Sequence, residues 1–157
     1  MTIIYILELE YGKYYVGKTD DVDKRYQQHL NGQGSYFTKK YKPVRILRIV
    51  PDANDFDEDR YVKEMMADHG IDNVRGGSYS NNLTYEQIAM LEREIRGARN
   101  LCLRCGRSGH FIERCYARRD ANGVALDDFN TTNNDDMDLK TAIEALVVKK
   151  ASECTIC

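Results

Sequence analysis

The sequence predicts an α+β protein: a small three-stranded antiparallel sheet flanked by helices, then a further helix, a short cysteine- and histidine-bearing module and a mostly disordered acidic tail. Three observations lead there. Thr2–Leu9 and Lys13–Thr19 are β-branched and aromatic runs separated by three residues that end in Gly12, the pattern of a hairpin. Apolar residues return at helical spacing behind Asp20 and Asp21, behind Asp57 and behind Thr84. Cys102, Cys105, His110 and Cys115 then follow the spacing C-x2-C-x4-H-x4-C.

The chain has 157 residues, enough for one ordinary domain or for a smaller one with appendages. No stretch approaches the roughly 20 apolar residues of a membrane span, and residues 1–20 lack the basic start and apolar block of a secretory signal. The expectation is an intracellular protein of nucleus or cytoplasm, that of a virus-infected cell included, with no membrane partner. A net charge of −2 hides an asymmetry. Up to Arg119 there are 20 lysines and arginines against 17 acids, and from Asp120 onward 3 against 8. Binding to a polyanion must therefore be argued from local patches. All five cysteines stand at or beyond position 102, which without a signal favours metal over disulfides.

In the hairpin, a three-residue Glu10-Tyr11-Gly12 loop read as a type I turn plus bulge sets Leu9 opposite Lys13, Leu7 opposite Tyr15 and Tyr5 opposite Gly17. Tyr5 and Tyr15 then share a face, and bare Gly17 leaves room beside the Tyr5 ring. A two-residue turn would throw the two phenols to opposite faces. Tyr14 points the other way, into a core. Asp20 or Asp21 caps the next helix, on which Arg25 and His29 stand one turn apart beside the stripe Val22, Tyr26, Leu30. The stretch 31–43 reads as a Gly/Ser-opened loop whose Lys39 and Lys40 alternate with Tyr36, Phe37 and Tyr41. It is either a nucleic-acid contact, with charge for phosphate and rings for stacking, or a solvated loop packed on the sheet. Val44–Val50 is a third strand. Asp55 or Asp57 caps a helix running to His69, stopped by Gly70. Residues 73–77 read as a tight turn. A helix over 84–100 opens with a Thr84/Gln87 capping box and carries the stripe Ile88, Leu91, Ile95, Ala98.

Ile3–Tyr5, Tyr15–Gly17, then Lys24, Arg25 and His29 together resemble the GIY-YIG endonuclease domain, and residues 34–47 and 58–63 continue the likeness. It covers residues 1–80. Ile3 stands where the family carries glycine, with the tyrosine of that motif kept. The resemblance implies phosphodiester hydrolysis. Arg25 would bind the scissile phosphate, and Glu58 would hold Mg²⁺ or Mn²⁺ near the leaving oxygen, with Glu64 as a second candidate. Tyr5 or Tyr15 would orient or deprotonate water, aided by Lys18 and His29.

The module over 101–116 looks like a CCHC zinc knuckle. Three thiolates and an imidazole suit four-coordinate Zn²⁺, and four filled positions make the site structural. Leu103 and Phe111 would give an apolar platform for unpaired bases, amid five arginines and one acid from Arg104 to Arg119. The alternative use of such a module is protein contact. Residues 120–138 read as an acidic disordered linker and 139–150 as a short amphipathic helix open to a protein partner. Cys154 and Cys157 read as free thiols rather than a metal or redox centre. Two functions follow: a metal-dependent endonuclease acting on DNA with a nucleic-acid-binding knuckle, or a non-catalytic nucleic-acid binder on the same scaffold.

Overall fold

A computed structural model describes residues 1–126. The greater part of the expected linker, the 139–150 helix and the pair Cys154 and Cys157 lie outside the described residues. Strands β1 (Ile3–Leu9) and β2 (Lys13–Thr19) form the hairpin, followed by helices α1 (Val22–Leu30) and α2 (Tyr36–Lys40) and strand β3 (Pro43–Val50). Helix α3 (Asp57–His69), strand β4 (Val74–Gly76) and helix α4 (Tyr85–Ala98) complete the larger unit. The α+β class is as expected, but the sheet has four strands in the order β3-β1-β2-β4, with β4 parallel to β2.

The hairpin register is the expected one, Leu9 to Lys13, Leu7 to Tyr15 and Tyr5 to Gly17. Its turn is not. Tyr11 and Gly12 both adopt positive φ, 61° and 67°, so the loop is built on two left-handed residues rather than a type I turn. Two further readings are corrected. Residues 73–77 are not merely a turn, because Val74–Gly76 is a fully buried strand. Gly76 lies so close to the Val16 carbonyl that any side chain there would overlap it. The loop read over 31–43 contains α2, capped by the Ser35 hydroxyl on the Thr38 N–H.

Each face of the sheet carries its own core. On one, Ile4, Ile6, Val16 and Val74 meet Tyr61, Val62, Met65 and Met66 of α3 and Leu91 of α4. On the other, Tyr5, Leu7, Leu9 and Tyr15 meet Phe37. Asp21 caps α1, and Thr84 and Gln87 close both halves of the capping box on α4. Neither Asp55 nor Asp57 caps α3. Phe56 occupies that position and the Asp57 carboxylate turns back to the Asn54 N–H, 2.9 Å away. Among the described residues no helix is long and apolar enough to cross a membrane.

Helix α4 packs on α3 through Leu91 and Ile95, with ion pairs Lys63–Glu94 and Arg99–Asp68 at 2.6 Å. It also holds the cysteine module. Arg96 donates to the Leu103 and Arg104 carbonyls at 3.1 and 3.2 Å and pairs with Asp120 at 3.7 Å. The module runs past its expected end at 116. Arg119 bridges to Ala125, the buried Asp120 carboxylate takes the N–H groups of Asn122 and Val124, and the Ala121 N–H reaches the Cys105 carbonyl. The linker boundary at Asp120 is therefore corrected: satisfied hydrogen bonds order residues 120–126.

Candidate active site and metal centre

The Tyr5 hydroxyl is the hub. Strand β1 points it across bare Gly17, where any Cβ would overlap the phenol end of the ring. Helix α1 then brings His29 Nε2 to 2.9 Å and Arg25 Nε to 3.2 Å from the Tyr5 oxygen. Tyr15 lies on the same face, its ring 6.5 Å from that of Tyr5 and 5.2 Å from His29. On its far side His29 Nδ1 meets Thr38 Oγ1 at 2.8 Å, and that hydroxyl donates to the Ser35 carbonyl. In the tautomer where the threonine hydrogen goes to that carbonyl, Nδ1 carries the imidazole proton and Nε2 is the acceptor facing the Tyr5 hydroxyl. The Tyr5 oxygen meanwhile accepts from Arg25. A Cβ at Gly34 would strike the His29 ring, so that glycine lets α2 close on the imidazole.

Burial sets the electrostatics. Tyr5 is 1% exposed and its phenol is pushed up to about 12 by desolvation, against the lowering bond from Arg25. Desolvation also raises Tyr15, opposed by Ser35 and Arg25. His29 is held down at about 4 by burial and by the nearby Arg25 cation, so it is neutral at physiological pH. Arg25 itself is raised, chiefly by its bond to Tyr5. Its second partner is Gln28 Oε1 at 2.9 Å, which leaves guanidinium N–H groups over. Arg25, Lys18, Lys24 and Gln28 line a cleft of about 350 Å³.

Glu58, in the first turn of α3, stands at the edge of this group. Its carboxylate pairs with Lys18 Nζ at 3.4 Å, and its charge bears on both phenols. Neighbouring Asp59 is committed to the Ser78 N–H and hydroxyl at 2.8 and 2.7 Å. One carboxylate completed by water and phosphate oxygens is a donor set that suits Mg²⁺ or Mn²⁺. Glu64 lines the groove between α3 and α4 instead, away from the phenols. Lys39 and Lys40 are exposed at the end of α2, the helix whose Thr38 buttresses His29. Reading the sequence missed Thr38, Ser35, Gln28 and Gly34. The Ser-x-x-Thr pattern of a capped turn at 35–38 was the available sign.

The cysteine module gathers Cys102, Cys105, His110 and Cys115 so that their ligand atoms all lie within 4.8 Å of one another. A tetrahedral Zn²⁺ with Zn–S near 2.3 Å needs ligand separations of about 3.8 Å, so these residues fit it. Gly106 and Gly109, at φ 74° and 91°, make the turns between ligands. Phe111 is exposed and Leu103 half-buried, and Tyr116, which the sequence reading left aside, is 91% exposed beside the last ligand. The basic character is more internal than expected. Arg104 bonds the Cys115 and Ala117 carbonyls, and Arg107 those of Arg119 and Asp120.

With that geometry in hand, the comparisons with known proteins agree in domain order. The model of the GIY-YIG catalytic domain matches residues 1–59 and that of the GAG-polyprotein viral zinc-finger matches residues 98–132. Residues 1–59 are thus similar to a GIY-YIG catalytic domain and residues 98–132 to a CCHC zinc finger. Among its relatives is a UPF0213 protein of Xanthomonas axonopodis pv. citri, 40% identical over 48 residues, which are 31% of this chain and 47% of that protein. UPF0213 proteins of Cupriavidus necator and Halalkalibacterium halodurans are each 41% identical over 44 residues, 28% of this chain and 48% and 47% of theirs. The chain spans about half the length of the curated relatives it matches. No solved structure matches it.

Proposed function

We propose that the chain is a metal-dependent endonuclease that hydrolyses phosphodiester bonds in DNA, with the zinc finger binding nucleic acid. One observation carries the reading: a single phenol oxygen, that of Tyr5, accepts from Arg25 and stands within hydrogen-bond distance of a neutral imidazole. The remaining lone pair on that oxygen suits it to take a proton from an attacking water as its own passes to His29 Nε2. A free phenolate is not needed, which matters because a phenol at about 12 is scarcely ionised at neutral pH. The unused N–H groups of Arg25 fit the non-bridging oxygens of a phosphate and the charge that builds on them. Lys18 adds a second cation. A divalent ion held by Glu58 would supply neutralisation of the leaving oxygen.

The test is cleavage of plasmid and branched DNA in Mg²⁺. Wild type should nick. Arg25→Ala and Glu58→Ala should still bind yet cut roughly 10²–10³-fold more slowly, the usual scale for losing one stabilising group in the transition state. The Lys18–Glu58 pair and the near-complete burial of Tyr5 favour a second reading, a scaffold that binds without cutting. Salt-sensitive binding with no cleavage, indifferent to both substitutions, would establish that one instead.

A further inference from the structure

The face of the sheet that carries Tyr5 and Tyr15 continues beyond them. Lys13, Tyr15 and Gly17 alternate along β2, so Lys13 lies on the face of the phenols, about 13 Å along the strand from Gly17. Lys13 Nζ sits 5.5 Å from the centre of the Tyr41 ring and donates to Asn73 Oδ1 at 2.7 Å. Lys40 Nζ approaches the same ring at 5.3 Å. Among the described residues neither lysine has an ion-pair partner. A third cation, buried Arg75, lies 5.5 Å from the Phe37 ring and gives its Nη1 only to the Ile71 and Val74 carbonyls. The acids nearby are Asp72, whose charge bears on Arg75, and Glu10, which takes the Lys42 N–H. The Tyr41 ring is already occupied, by two lysines and by edge contacts with Tyr11 and Phe37. It supports cations and is not a free surface for a base.

We infer that Lys13 and Lys40, steadied on Tyr41, form a phosphate subsite for the DNA strand running on from the reaction centre, two or three nucleotides from the scissile bond. The inference rests on the nuclease reading for its polarity but not for its binding measurement. Because the ring is closed to bases, the subsite takes backbone without regard to sequence.

The test uses the full chain and a labelled duplex longer than two helical turns, in zinc buffer without Mg²⁺, over a range of salt. Lys13→Gln, which can still donate to Asn73, and Lys40→Gln should each lower the slope of log affinity against log salt by about 0.9, equally on unrelated sequences. In Mg²⁺ the double variant should raise KM and leave kcat. An unchanged slope overturns the inference even where Arg25→Ala abolishes cutting. A lowered slope in a protein that never cuts upholds the subsite and removes the enzyme. A loss confined to particular sequences also overturns it.

Discussion

At the scale of single residues the cluster around Tyr5 keeps one imidazole uncharged. Folded His29 titrates at about 4, against about 6.5 in an unfolded chain, because burial and Arg25 disfavour its cation. Above pH 6.5 both states are neutral and the group has no effect on stability. Between 6.5 and 4 the unfolded chain binds a proton that the folded one refuses, so stability falls as pH falls; below 4 both are charged and the slope from this group vanishes. Urea midpoints should therefore decline across that window in wild type, and His29→Gln should flatten the decline. Parallel declines would mean the imidazole is not held neutral. Tyr5→Phe addresses the chemistry directly. It removes the oxygen that accepts from Arg25 and shares a hydrogen bond with His29 while preserving the ring's packing, so folding should survive and cleavage should drop by about 10²–10⁴, the span of general acid–base groups. Cutting by Tyr5→Phe at the wild-type rate would pass the role to Tyr15.

At the scale of elements, the hairpin delivers the geometry, and its register is what places both phenols on one face. Gly17→Ala isolates that contribution: a methyl there overlaps the Tyr5 hydroxyl, displacing the hub without deleting a polar group. We expect a loss of about 1–3 kcal/mol in stability, the usual cost of overpacking, and a fall in kcat larger than any change in DNA affinity, read by single-turnover kinetics beside equilibrium binding. Full activity would mean the ring has room to move. This register was legible in the sequence because alternation and loop length determine it together, and Arg25 and His29 were legible because helical spacing aligns them. Strand β4 was not: three residues, all buried at one edge of the sheet, show no alternation, and Gly76-Gly77 imitates a turn. Helix α2 is one turn long, too short for periodicity to register, so its Thr38 escaped although it orients His29. The cap of α3 was misjudged because Asp57 finds a nearer partner in the Asn54 N–H. Glu58 could be found only by resemblance, since nothing in local pattern links residue 58 to residue 18.

At the scale of the whole molecule one helix joins the two units proposed to meet nucleic acid. Helix α4 is clamped to α3 by Lys63–Glu94 and Arg99–Asp68, and Arg96 fastens it to the zinc module. The larger unit has its own core on both faces of the sheet, whereas the module has little apolar interior beyond Cys102 and Cys105 and depends on its ligands to fold. A zinc-selective chelator should accordingly unfold the module and weaken single-strand binding while the sheet and Mg²⁺-dependent nicking persist. Circular dichroism and plasmid nicking report the two halves separately. Arg96→Ala tests the joint itself. It deletes two hydrogen bonds to backbone carbonyls and the pairing with Asp120, worth roughly 2 kcal/mol at about 1 kcal/mol for each bond. Zinc affinity should change little, because no ligand is touched, yet proteolysis between Arg99 and Leu101 should quicken by about an order of magnitude as the docked fraction falls. If cleavage of a substrate long enough to span both surfaces then loses its preferred distance from the strand held by the finger, while cleavage of short duplexes is unaffected, α4 acts as a spacer. Unaltered proteolysis and an unaltered cutting distance would show that the finger docks without Arg96.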